Sequence, residues 1–140
     1  SLWSREPEQE LFAACKELGI TFVAYSPLGR GFLTGAIKSR ADMEPGDFRL
    51  NNPRFTEEAI KENIRFVEVI DQLAQDKGVT KAQIALAWIL NQNDEITAIP
   101  GTRNMHRLEE NLGALNIELT QADMDVIESS VPTSTMGSRY

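Results

Sequence analysis

Two short β-rich runs are all the strand this chain offers, and they stand far apart. Residues 20–26 read Ile-Thr-Phe-Val-Ala-Tyr-Ser and residues 96–99 read Ile-Thr-Ala-Ile. Turn residues follow the first run directly, which predicts a compact, buried strand. The segments between the two runs have helical periodicity, so the strands form a parallel pair with helices outside it. A parallel pair leaves unpaired edges and buries little on its far side. The chain is therefore expected either to be part of a larger α/β fold or to complete itself by association. Its opening at Ser1-Leu2-Trp3, without methionine, reads as the middle of something longer.

The helices are legible from spacing and caps. Pro7 suits a first helical turn, and Leu11, Ala14, Cys15 and Leu18 recur at helical spacing before Gly19 closes the segment. Ile60, Ile64, Val67, Ile70, Leu73 and Ala74 mark a long amphipathic helix ended by Gly78. Thr80-Lys81-Ala82-Gln83 is a capping box before a shorter helix, apolar nearly all round from Ile84 to Leu90 and so buried on most sides. Met105, Leu108, Leu112 and Leu115 form one stripe of the next helix, and Thr120 caps a last one carrying Met124 and Ile127. Between Pro27 and Thr56 no periodicity stands out, and the tail from Pro132 has little to hold it. Neither an internal repeat nor a low-complexity segment is present.

Both strands end in turns suited to an anion. After the second strand come Pro100-Gly101-Thr102-Arg103 and then a helix start, with Arg107 one turn in. A helix N-terminus presents unpaired N–H groups and a positive dipole end. Guanidiniums add bidentate donors that match phosphate oxygens. The alternative is an ordinary strand-to-helix turn with two solvated arginines. After the first strand comes Tyr25-Ser26-Pro27-Leu28-Gly29-Arg30-Gly31. There Tyr25 offers a flat aromatic face, and the glycines let backbone N–H groups approach an anion. Taken alone this is a common loop. Two such turns at the carboxyl ends of consecutive strands match the place where parallel α/β barrels frequently bind phosphate.

Charge narrows the partners. The chain has 140 residues, 41% hydrophobic and 25% charged, with a net charge of -7. That composition is globular, and the acidic balance excludes a general nucleic-acid binder. Any phosphate must be held by local basicity. No apolar run approaches membrane-spanning length, and no signal peptide is present. The single cysteine, Cys15, can form no internal disulfide, which points to a reducing, cytoplasmic setting. Its place in a helical pattern reads as packing. No cluster suggests a metal.

These residues resemble a family. Residues 22–35 (Phe-Val-Ala-Tyr-Ser-Pro-Leu-Gly-Arg-Gly-Phe-Leu-Thr-Gly), Ala85-Leu86-Ala87-Trp88, residues 99–103 (Ile-Pro-Gly-Thr-Arg) and residues 108–114 (Leu-Glu-Glu-Asn-Leu-Gly-Ala) are similar to the aldo-keto reductases. The likeness is strongest to bacterial and plant reductases with a Tyr-Ser-Pro-Leu-Gly turn. It runs from residue 1 to about 131, leaving 132–140 as a tail. That fold is a (β/α)8 TIM barrel, and the resemblance implies its carboxyl-terminal portion: strands seven and eight with their helices and a final helix. Ser1-Leu2-Trp3-Ser4 would follow strand six.

The resemblance also implies roles. Tyr25 matches the residue on which the nicotinamide stacks, and Ser26, Leu28 and Gly31 match the turn around the pyrophosphate. Thr102 and Arg103 match residues around the 2′-phosphate, and Arg107 the basic position that pairs with it or covers the adenine. Glu110 and Asn111 match contacts to the adenine edge. Residues 32–54 would be the variable loop near substrate, or simple disorder. The implied cofactor is NADPH, and the implied reaction is reduction of an aldehyde or ketone to an alcohol. The family's Tyr, Lys, Asp and His tetrad comes from the first half of the barrel, and nothing here matches it, so no catalytic residue is assigned. His106 reads as a surface helix residue and Tyr140 lies in the tail. Three functions remain: a piece of a reductase, inactive until a missing amino-terminal half is supplied; a nucleotide-binding module without a reductase role; or a structural half-barrel that self-associates.

Overall fold

The computed structural model describes all 140 residues. Five α-helices, α1 (Leu11–Leu18), α2 (Glu57–Lys77), α3 (Lys81–Leu90), α4 (Met105–Gly113) and α5 (Gln121–Ser130), surround two strands, β1 (Phe22–Ala24) and β2 (Ile96–Ala98). The strands pair in parallel with Phe22 opposite Ile96, Val23 opposite Thr97 and Ala24 opposite Ala98. Between β1 and α2 the chain makes four short 3-10 turns in place of a regular element.

Local signals set most boundaries. Gly19 and Gly78 close α1 and α2 in the left-handed conformation that other residues avoid. Thr56 caps α2 through the Ala59 N–H, and reciprocal capping boxes open α3 (Thr80 with Gln83) and α5 (Thr120 with Asp123). As its sequence requires, α3 is the central element, with Ala82 and every residue from Ile84 to Ile89 buried. It packs against α2, β2 and α4.

The core is aromatic on one side. Trp3 stacks on Phe32 with ring centroids 4.2 Å apart, and the edges of Phe55 and Phe66 meet this pair. Leu33, Ile70, Ile84, Trp88 and Ile127 continue the cluster. Residues 32–54 are thus ordered by burial of Phe32, Leu33, Ile37 and Met43, which decides against simple disorder.

Two expectations need correction. The strand at 20–26 is not buried: Ile20, Val23 and Tyr25 are about half exposed, because only one neighbouring strand and one face of helices cover it. The apolar stripe of α4 faces solvent, with Met105, Leu108, Leu112 and Leu115 all exposed, and α1 likewise contributes no buried residue. Apolar periodicity reports a face built for contact, but not whether the contact lies within the chain. Contrary to expectation, too, the tail is held. The Asn63 carboxamide exchanges two hydrogen bonds with the Met136 backbone, at 2.9 and 3.1 Å. The Arg139 carbonyl accepts from Arg30 and Asn52, and the Gly137 carbonyl from Arg54.

Phe32→Ala is expected to cost roughly 3–5 kcal/mol by opening a cavity under the aromatic stack, read as a shift in the urea midpoint. Acid stability is expected to carry a signature of α2 and α3. The Lys81 ammonium holds the Asp71 carboxyl below its usual pKa, so the stabilisation is present above the unfolded-state value and lost as pH falls through the folded one. The difference in melting temperature between the native chain and Asp71→Asn should therefore be largest near neutrality and vanish in acid. A difference that grows on acidification would contradict the pairing.

Candidate functional site

The carboxyl ends of β1 and β2 open onto one cavity of about 1250 Å³. Its floor is the turn after β1, where two non-glycine residues take left-handed backbone: Ser26 at φ 49° and Arg30 at φ 56°. Such conformations cost of order 1–3 kcal/mol and persist where the surroundings impose them. Gly29 imposes one constraint. A Cβ there would lie 2.7 Å from Trp3 Cε3, so the turn is seated directly on the aromatic core. Arg49 imposes another: chelated by Asp47, its guanidinium donates to the Arg30 carbonyl at 2.9 Å.

The opposite wall is the turn after β2 and the first turns of α4. Thr102 Oγ1 accepts from the Asn104 N–H at 3.1 Å, and the Asn104 side chain caps the Arg107 N–H at 3.2 Å. The cap uses one free amide of the helix start, while the Arg103 and Arg107 guanidiniums form no ion pair and line the cavity. Glu110 and the buried Asn111 complete this wall one turn further along. Gln83 Nε2 donates to the Glu110 carbonyl at 2.9 Å, which fixes α4 against the capping box of α3.

Eight of the nine residues singled out in the sequence line this single cavity: Ser26, Leu28, Gly31, Thr102, Arg103, Arg107, Glu110 and Asn111. Tyr25 stands outside it. Its ring is half exposed and carries the Arg139 guanidinium 3.9 Å from its centroid, and its hydroxyl is 2.8 Å from that of Tyr140. That hydrogen bond pushes the Tyr25 phenol above its ordinary pKa. Sequence reasoning passed over Arg30, Asp42 and Arg49 on the cavity wall. Arg30, set between two glycines, carried a usable signal; the others come from a loop without periodicity. The Asp42 carboxyl is held low by the Lys38 and Ser39 backbone N–H groups and the Asp47 carboxyl by Arg49. His106 is exposed on α4, and Cys15 is a half-buried free thiol. No group of carboxylates, imidazoles and thiols suited to a metal is present, and no helix is long and apolar enough to cross a membrane.

The residues fit a phosphorylated ligand. Four guanidiniums line the cavity against two carboxylates, in a chain whose net charge is -7. The strained turn at 26–31 and the helix start at 104–105 meet across it, the pairing of backbone donors and arginines that takes phosphate oxygens.

Comparison with known proteins follows this geometry. A profile of the Aldo/keto reductase family matches residues 1–132. The chain is 43% identical over its whole length to "Aldo-keto reductase yakc [NADP(+)]" of Schizosaccharomyces pombe, and 42% identical to "Probable aldo-keto reductase 1" of Glycine max. It spans 42% and 40% of those proteins' lengths. Among solved structures, a thermostable aldo-keto reductase in complex with the inhibitor epalrestat aligns with TM-score 0.64 and 27% identity, over 91% of this chain and 36% of its own. A glycerol dehydrogenase from Gluconobacter oxydans aligns with TM-score 0.85 over 99% of this chain and 43% of its own; at 21% identity it speaks for the fold alone.

Gly29→Ala and Gly19→Ala share a positive φ, but only the first would drive a Cβ into Trp3; nothing lies within 4 Å of the second. The first is expected to lower the melting temperature by several degrees more, a difference of at least about 1 kcal/mol. Equal losses would mean that the turn is not seated on the indole.

Proposed function

Because the chain belongs to the aldo/keto reductase family, and has the fold of part of its TIM barrel, we propose that it is the carboxyl-terminal, NADPH-binding part of an oxidoreductase that reduces aldehydes or ketones to alcohols. The observation that carries this reading is the convergence of eight sequence-assigned residues on one arginine-lined cavity at the strand ends. The NADP(+) in the printed name of the fission-yeast relative agrees with it.

In this reading Ser26, Leu28 and Gly31 wrap the pyrophosphate with backbone donors. Thr102, Arg103 and Arg107 take the adenosine 2′-phosphate, and their unpaired guanidiniums are the physical reason to prefer NADPH over NADH. Glu110 and Asn111 meet the adenine edge. Tyr25 supplies the stacking platform, which requires Arg139 to leave one face of its ring or the nicotinamide to use the other. The bound nucleotide supplies a hydride to the substrate carbonyl. This chain orients it and holds the phosphates; polarisation of the carbonyl falls to residues outside 1–140. The chain alone binds the cofactor weakly at best and does not turn over substrate.

The exposed apolar faces favour completion by a missing amino-terminal half. Ile20, Val23 and Ile99 lie bare at or next to an open two-stranded sheet, which is what removal of neighbouring barrel strands would leave. The same faces would also support self-association of a structural half-barrel. In that case, assembly would depend on concentration and ignore nucleotide.

Calorimetric titration tests the reading. The chain is expected to prefer NADPH over NADH by more than about tenfold, or about 1.4 kcal/mol, and to lose that preference in Arg103→Ala/Arg107→Ala. If the chain binds neither nucleotide, addition of the amino-terminal half should restore binding together with carbonyl reduction. A reconstituted barrel that binds no NADPH would overturn the proposal.

A further inference from the structure

Two arginines of this chain are more than nine-tenths buried, and they differ in one respect. Arg5 is held by two carboxylates, Glu8 and Glu128. Arg54 has none. Its guanidinium lies 5.1 Å from the Trp3 ring centroid, and its partners are neutral: Ser4 Oγ at 2.8 Å and the Gly137 carbonyl at 3.3 Å. Burying a charge without a countercharge is costly. Here the cost is compounded, because Arg30 and Arg139 border the same cleft, again with no carboxylate paired to either. Burial lowers the Arg54 pKa first, the charges of Arg139 and Arg30 lower it further, and Glu6 and Tyr25 oppose them. With 21 acidic residues against 14 basic, the chain has no shortage of carboxylates, yet none pairs with these three.

The cleft between them is bordered by Ser4, Ser26 and Gly29, and its volume is about 10 Å³. That is room for one oxygen-sized group. One oxygen of a planar carboxylate fits there, with its second oxygen left to the arginines at the rim. The cleft lies on the Tyr25 side of Ser26, since Arg139 stacks on that ring, while Arg103 and Arg107 stand in the larger cavity. Basicity thus collects in two adjoining places, with Arg103, Arg107 and Arg49 in one, Arg54 and Arg139 in the other, and Arg30 lining both.

We propose that Arg54, Arg139 and Arg30 form a carboxylate-binding site, and that the carbonyl compound reduced on this barrel carries a carboxylate which these arginines hold. The anion site stands on the unpaired guanidiniums; its assignment to the substrate rests on the reductase reading. Arg54 closes the base of the cleft, and Arg139, on the tail, moves to admit the ligand and uncovers Tyr25 as it does so. Recognition of the carboxylate and exposure of the aromatic platform become one event.

The test uses succinate, its neutral analogue succinamide and inorganic pyrophosphate, each titrated into the chain with heteronuclear NMR as the readout. Succinate is expected to bind saturably and shift the Arg54 and Tyr25 resonances, with succinamide silent. Arg139→Gln should weaken succinate by about tenfold, the loss of one charge-assisted contact. It leaves the buried Arg54–Trp3 packing untouched, so its fold is checked by an unchanged melting profile. Arg54→Lys is the second variant, keeping the charge and removing the fork. Absence of a saturable succinate response, or a response indifferent to both variants, would overturn the proposal. So would pyrophosphate binding more tightly than succinate through the same two arginines, because the cleft would then belong to the nucleotide. A separate NADPH titration reads the reductase assignment: succinate bound by a chain that ignores NADPH in the completed barrel would keep this site and remove its assignment to a reductase substrate.

Discussion

The contact on which the rest of the molecule depends is the stack of Trp3 on Phe32, edged by Phe55 and Phe66. It joins four segments with no backbone pairing between them: the amino-terminal stretch, the turn after β1, the 3-10 loop and the long helix α2. Rings this large remove much apolar surface from water and add a geometric preference. That matters more here than in a closed fold, because a sheet of two three-residue strands supplies little cohesion. The strained backbone of Ser26 and Arg30 is affordable because Gly29 lies flat on Trp3 and Arg49 grips the Arg30 carbonyl. The site is therefore rigid because its floor is an extension of the core.

Charge is organised against the composition. A net charge of -7 spread evenly would repel a dinucleotide. Instead the acids concentrate on outward surfaces and in local pairs such as Asp71–Lys81 and Asp123–Lys77, and the arginines collect at the strand ends. Asp47 illustrates the division. It chelates Arg49, and the guanidinium so held braces backbone at the cavity floor. Arg103 and Arg107 have no such partner and keep their full hydrogen-bonding capacity for a ligand.

What could be read from the residues follows how local each signal is. The limits of α2 and α3 were legible because Thr56, Gly78 and the Thr80–Gln83 box act within a turn of chain. The two strands and their parallel pairing followed from the helical crossovers between them. Eight of the nine assigned site residues lie on one cavity because both turns leave strand ends that are neighbours in the sheet. Misreadings came where the outcome depended on something distant. The apolar stripe of α4 and the alternate residues of β1 are contact faces, and periodicity does not say whether the surface they meet belongs to the same chain. The tail lacked any apolar pattern because Asn52, Asn63 and Arg54 hold it through its backbone carbonyls and amide, which any sequence possesses. Arg54 itself lay in an aperiodic loop, and only the fold brings it to Trp3.

The bare faces and the site are linked through Tyr25. It directly follows β1, the strand whose far edge carries no hydrogen-bonded neighbour. In a parallel barrel the residue after a strand is positioned from both sides, by the strands flanking its own. Here β2 braces one side, where the Ile99 N–H donates to the Ala24 carbonyl at 3.1 Å, and nothing braces the other. The tail holds the side chain instead, with Arg139 on the ring and Tyr140 at the hydroxyl. A neighbouring strand at the open edge would fix the backbone of Tyr25 without touching its ring. The two contacts made by the tail would then be free to change. On this view, the open sheet edge leaves the two cavity-lining turns intact, because they are anchored to Trp3 and α3. It loosens Tyr25, the residue proposed to meet the reacting end of the cofactor.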